Sequence, residues 1–298
     1  MKKSVFLVVL LLCITMLSVF VIKQHKSSVK NVLKTNLDNA ITEYNAENAI
    51  GILLESQTGK IIAKYETSPK NAIFNQKYEF GGLLSVINTA IALENGISLD
   101  KTYDKITVKD ILLKSINSGH NKIATDLPES AQSKFFEKMR FNDVLTIDSE
   151  KTIQPDIPKK WTKSERINAS LGYGVKITPI HLLFGMNAIV NDGIYVFQKQ
   201  PSERVFSSKT SSEIREIMQE LVKTTLGDKI EHVGIKTASI HSKEAITTAL
   251  FATFPIENPE YSLLVILEDP KGDNNLASWN VVPLTGKILT QLMPILKK

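Results

Sequence analysis

A single cysteine, Cys13, in 298 residues excludes a disulfide framework and any cysteine-based zinc site. Fourteen glycines and eleven prolines are too few for a collagen-like or low-complexity chain. No HExxH or Cys/His pair occurs, so His120, His181, His232 and His241 read as ordinary polar or helix-packing residues. Neither a metal nor an organic cofactor is expected. A basic surface is also missing. The net charge of +5 comes from Lys2, Lys3, Lys23, Lys26 and Lys30, which lie in a segment without acids, and the remainder balances 31 basic against 31 acidic residues. No basic stripe is left to follow a phosphate backbone, so no nucleic-acid partner is expected. What is present is 43 % hydrophobic residues, enough to build a sizeable core.

Val5 to Ile22 is an apolar run interrupted only by Thr15 and Ser18. It is just long enough for a hydrocarbon core of about 30 Å, and residues 1–22 read as an uncleaved transmembrane anchor with a basic flank. The alternative is a cleaved signal, whose apolar part is usually about 7–15 residues and ends in a small-residue cleavage site. Here the run ends in Ile22-Lys23-Gln24-His25-Lys26, and Leu12 before Cys13 argues against a lipoprotein signal. Lysines on both flanks leave orientation open. Residues 23–47 are polar with scattered Leu and Val and read as a juxtamembrane connector. Residues 48–298 read as one globular domain.

Within that domain, Ala49–Glu55 and Ile61–Tyr65 flank Gln57-Thr58-Gly59-Lys60, a hairpin signal. Leu83, Leu84, Val86, Ile87, Ala90, Ile91 and Leu93 follow the helical period, with Gly96 as the stop. Thr107-Val108-Lys109-Asp110 resembles a capping box that opens a helix through Lys114. Thr178-Pro179 opens another helix, running to Asn191. An amphipathic helix spans Ser211 to Thr225. The runs 232–240, 246–254 and 261–268 predict an antiparallel meander, and a last helix spans about Val281 to Leu296. Strands, a block of helices, strands and a closing helix make an α+β unit whose terminal strands share one sheet, with the last helix beside the first strands.

Several short motifs then fall in a meaningful order. They are Tyr78-Glu79-Phe80-Gly81-Gly82, Lys114-Ser115-Ile116-Asn117, Gly172-Tyr173-Gly174, Gly234-Ile235-Lys236-Thr237-Ala238-Ser239, and the turn from Phe254 to Tyr261. In this order the chain, from about Ala49 to Leu296, resembles the transpeptidase domain of class B penicillin-binding proteins. The resemblance implies a β-lactamase/transpeptidase-like fold with helices flanking an antiparallel sheet. It also implies a single anchor in the cytoplasmic membrane, an N-terminus inside and an extracytoplasmic (periplasmic) domain. Ser115, Asn117, Lys236, Thr237, Ala238 and Ser239 become the cleft or peptide-binding residues, with Lys236 facing the carboxylate of a stem peptide ending in D-alanine.

The departures bear on activity. The family's nucleophile belongs to Ser-x-x-Lys, one helical turn apart, where a neutral lysine takes the serine proton. Here the vacated positions are Gly82 and Ser85, and no Ser-x-x-Lys occurs near this helix in another register. The third motif's glycine is Ala238, and the region that class B members carry between membrane and transpeptidase domain is absent. No intact catalytic residue is therefore expected. The leading expectation is a catalytically inactive scaffold or regulator of peptidoglycan synthesis or division, with cell-wall or division proteins, the inner membrane and stem peptide as partners. The alternatives are a non-covalent stem-peptide or muropeptide binder, or a residual D,D-transpeptidase or hydrolase with a relocated nucleophile such as Ser85. Rebuilding the motif by Gly82→Ser with Ser85→Lys is expected to restore slow penicillin acylation.

Overall fold

The computed structural model describes residues 27–198, 200–227, 230–241, 245–271 and 275–297. The Val5–Ile22 run lies outside them, and among the described residues no helix is long and apolar enough to cross a membrane. In chain order the elements begin with α1 (27–44), β1 (Asn48–Glu55), β2 (Lys60–Glu66), α2 (Ala72–Asn75) and α3 (Gly82–Glu94). A helical block follows: a β3–β4 hairpin (Thr102–Tyr103, Ile106–Thr107), α4 (Val108–Leu113), α5 (Asn117–Asp126) and α6 (Ala131–Lys138). Then come the β5–β6 hairpin (Thr146–Ile147, Glu150–Lys151), α7 (Lys163–Ser170), α8 (Pro179–Val190), the β7–β8 hairpin (Ile194–Tyr195, Glu203–Arg204) and α9 (Ser208–Thr225). The chain closes with β9 (Gly234–His241), β10 (Ile246–Phe254), β11 (Tyr261–Glu268), a 3-10 turn (Ala277–Trp279) and α10 (Val281–Leu296).

Five strands form one antiparallel sheet in the order β2-β1-β11-β10-β9. The first hairpin and the last three strands are therefore neighbours, as the sequence pattern predicts. Their long apolar runs follow from burial on both faces: Ile52 and Leu264 face the helical block, while Leu53 and Val265 face the opposite layer. The inner layer is built around α3, in which every residue from Leu83 to Ala92 is buried. The Thr107 side chain accepts from Asp110 N–H, so the cap read from the sequence is made.

The outer layer differs from expectation in two ways. The stretch read as a connector contains α1, whose Val29, Leu33, Leu37 and Ala40 are buried against the sheet with residues of α10. Their spacing of about four residues supplies a narrow apolar stripe on an otherwise polar helix. Leu37 and Leu33 lie over Gly51 of β1, where a Cβ would come within 2.9 Å of Leu37 Cδ1. With α1 on β1, α10 packs over β10 and β11 instead of beside the first strands. Trp161 packs edge-on against Phe136 with ring centres 5.2 Å apart, whereas Trp279 is exposed.

Candidate active-site cleft

Lys236 stands on the edge strand β9. Alternation along the strand turns Lys236, Ala238 and Ile240 toward the helical block and Ile235, Thr237 and Ser239 toward the outer layer. Lys236 is 3 % exposed as a whole residue. Its Nζ donates to the carbonyl of Leu112 at 3.0 Å and to Ser115 Oγ at 2.7 Å. Leu112 lies in the last turn of α4 and Ser115 two residues beyond its end, so the ammonium sits at the carbonyl end of that helix, where the dipole favours a cation. Ser115 adopts φ 51°, a left-handed conformation that breaks the helix and leads into α5. Burial draws the Lys236 pKa from 10.5 down to about 8.

His120, one turn into α5, is likewise 3 % exposed. Burial, then the charge of Lys236, holds its imidazole down at about 4, so it is neutral at physiological pH. Its Nε2 has no hydrogen-bond partner among the described residues. The sequence reading of His120 as a packing residue missed that it lies in the electrostatic field of Lys236. Burial beside a lysine is a tertiary fact that a lone histidine does not announce. Among the described residues no group of acids, histidines and cysteines is arranged to hold a metal ion.

Gly82 opens α3 directly beneath β9. A Cβ built on it lies 3.0 Å from the carbonyl oxygen of Thr237, 3.9 Å from Lys236 Cε and 4.0 Å from Ala238 Cβ. Gly82, Lys236 and Ser115 thus meet in one place. On the other side Gly172 presses on Gly81, where a Cβ would fall 2.3 Å from Gly81 N. Ser85 is buried and donates its hydroxyl to the Gly82 carbonyl at 2.6 Å, which leaves it tied to its own helix. Asn117 is exposed at the first turn of α5. Ser239 accepts from the Ala277 N–H at 2.7 Å, on the outer side of β9. The side chains of Thr237 and Ser239 therefore do not join the group around Lys236.

Residues 100–289 match the family model described as the penicillin binding protein transpeptidase domain. The chain belongs to the penicillin-binding protein transpeptidase family. The matched stretch holds Ser115 and Lys236, while Gly82 and Ser85 on α3 precede it. Among similar curated proteins is a probable peptidoglycan D,D-transpeptidase FtsI of Caulobacter vibrioides, 22 % identical over 90 % of this chain and 57 % of the relative. The peptidoglycan D,D-transpeptidase FtsI of Escherichia coli K12 is 23 % identical over 85 % of this chain and 52 % of its own length. The chain thus spans about half the length of these transpeptidases. The fold is shared with the apo transpeptidase domain of Burkholderia pseudomallei penicillin-binding protein 3, at a TM-score of 0.78 and 19 % identity. That likeness covers 91 % of this chain and 93 % of the other. The cell-wall family read from Ser115-Ile116-Asn117 and Lys236-Thr237-Ala238 is therefore the right one.

Proposed function

We propose that this chain is a membrane-anchored transpeptidase-like protein of peptidoglycan synthesis or division that acts as a scaffold or regulator and does not acylate itself. The observation that carries this reading is the approach of β9 to the start of α3. Acyl transfer needs room for a carbonyl group between a nucleophile on α3 and the strand, held at about 3 Å from both the attacking atom and its oxyanion donors. At Gly82 that approach is tight: Thr237 O stands 3.0 Å from the position of a Cβ, so a side chain there must push the strand back by a few tenths of an ångström. The chemistry is missing as well. Gly82 has no hydroxyl, and the Ser85 hydroxyl donates its hydrogen bond to a backbone carbonyl instead of to a base. The outer surfaces of the helices that cover the sheet remain available to cell-wall and division proteins, with the domain held outside the cytoplasmic membrane by residues 1–22.

The test is labelling of the full-length chain with a fluorescent penicillin. No labelled band is expected. A band that vanishes in Ser85→Ala or Ser115→Ala would overturn the reading and establish a relocated nucleophile.

A second reading, non-covalent stem-peptide binding, is supported by the Lys236 ammonium, which has no carboxylate partner among the described residues. A ligand carboxylate would neutralise it. Calorimetric titration with a peptide ending in D-Ala-D-Ala decides this, and absence of heat at millimolar peptide rejects it.

A further inference from the structure

The end of the domain nearest the proposed anchor is fixed by how α1 is docked. Asn36 of α1 bonds to Gln291 of α10 at 3.1 Å, and Glu43 bonds to Lys287 at 2.8 Å, so the two helices run antiparallel. At the far end, Lys271 N–H donates to Tyr44 O at 3.0 Å and Glu47 N–H to Glu268 O at 2.9 Å. From there α1 runs back along the sheet for about 27 Å at 1.5 Å per residue. Eight-residue β11 covers about 26 Å. The beginning of α1 is therefore level with Tyr261 and with the C-terminal end of α10. Five peptide units separate residue 27 from Ile22, a reach of about 18 Å even if fully extended. Because α1 is part of the packed body, this end of the domain is held within about 18 Å of the end of the span if Val5–Ile22 crosses the bilayer, close enough to meet the headgroups.

At that end is a cavity of about 430 Å³ between the β10–β11 turn and the end of α10. Phe254, Tyr261, Met293 and Leu296 supply its apolar wall, and Glu260 and Lys297 carry opposite charges at its exposed rim. The volume is that of a small-molecule site. A zwitterionic phospholipid suits these walls: one acyl chain against the apolar residues, its phosphate toward Lys297 and its ammonium toward Glu260. An aromatic ring with a polar tip, such as Tyr261, is also favoured at the headgroup level.

We propose that this cavity holds a phospholipid of the bilayer that carries the anchor, so that the domain rests on the membrane by one defined end. The inference rests on the anchoring part of the functional reading. Its test is the full-length chain in phosphatidylethanolamine nanodiscs containing a phospholipid with a photoactivatable group on its acyl chain, with adducts mapped by mass spectrometry. Two sets of adducts are expected, one in residues 5–22 and one on the peptides carrying Phe254, Tyr261 and Met293. Met293→Glu, which places a carboxylate in the apolar wall, should lower the second set at least about tenfold and leave the first unchanged. Adducts in residues 5–22 alone overturn the lipid site and leave the anchor standing. Adducts in neither region overturn the anchor itself. Cavity adducts that survive Met293→Glu undiminished place the lipid elsewhere on the surface and also overturn the site.

Discussion

Lys236 has given up its water for one carbonyl and one hydroxyl, and that exchange is unfavourable for a charged ammonium. Its pKa in the folded chain is about 8 against an ordinary 10.5, so between these values the unfolded chain binds more protons. Stability should therefore rise as pH goes from 8 to 10.5, and the full penalty of about 3 kcal/mol is present below pH 8. Lys236→Met should remove this rise, as seen in urea unfolding across the same pH range, and stabilise the fold at pH 7 by about 1–2 kcal/mol. The same crowding changes what a repair of Ser-x-x-Lys will do. A serine at Gly82 pushes against the Thr237 carbonyl, and a lysine at buried position 85 adds a second ammonium on the same face of the sheet as Lys236. The pair Gly82→Ser and Ser85→Lys should lose about 3 kcal/mol or more of stability and stay unlabelled by fluorescent penicillin. Labelling of a stably folded double mutant would show that β9 yields. Ser115 and Lys236 were legible in the sequence because their residue types sit in ordered motifs. The Leu112 carbonyl and the closeness of β9 to Gly82 were not, because backbone position carries no residue signature.

Helix α1 shows where element-level reading stops. Its composition is that of a polar linker, and the stripe of Val29, Leu33, Leu37 and Ala40, flanked by half-buried Val32, Ile41 and Tyr44, discloses a buried edge. The strands were easier, because β10 and β11 are apolar on both faces and their lengths suit strands rather than helices. Helices α5, α6 and α7 are short, and they are held by packing against α3 and one another more than by their own pattern. The position of α10 could not be foreseen once α1 had been read as a linker, because α1 occupies the place over β1. If α1 is part of the folded body, removing a buried methyl cluster from it must weaken the whole domain. Leu33→Ala and Leu37→Ala, both at fully buried positions, should each cost about 2–4 kcal/mol in global unfolding. A helix that merely passed over the surface would give less than about 0.5 kcal/mol.

The molecule as a whole is a sheet covered on both faces, and the helical face contains two histidines buried without charge. His181 sets its own tautomer. Its Nε2 lies 2.9 Å from the Asp143 carbonyl, which can only accept, so Nε2 carries the hydrogen and Nδ1 receives the Thr178 hydroxyl at 2.8 Å. Protonating Nδ1 would break that bond and bury a cation. His120 has the same difficulty through burial and the neighbouring Lys236 charge. Both imidazoles are held at about 4 against an ordinary 6.5, chiefly by burial. A depressed pKa gives stability that is complete above 6.5 and is lost as pH falls through 4, because only the unfolded chain takes up the protons. The two together withdraw about 7 kcal/mol over that window, a large share of the roughly 5–15 kcal/mol typical of a folded domain. The exposed carboxylates held low by ion pairs, such as Asp38 and Asp126, exert their effect only below the ordinary carboxylate range. The unfolding free energy from urea titrations should therefore fall by about 2–3 kcal/mol between pH 6 and pH 5. His181→Gln keeps a donor for the Asp143 carbonyl and takes no proton, so the fall should shrink to about half. An unchanged slope in that variant would mean that His181 is not held neutral, and that the acid sensitivity of the fold resides elsewhere.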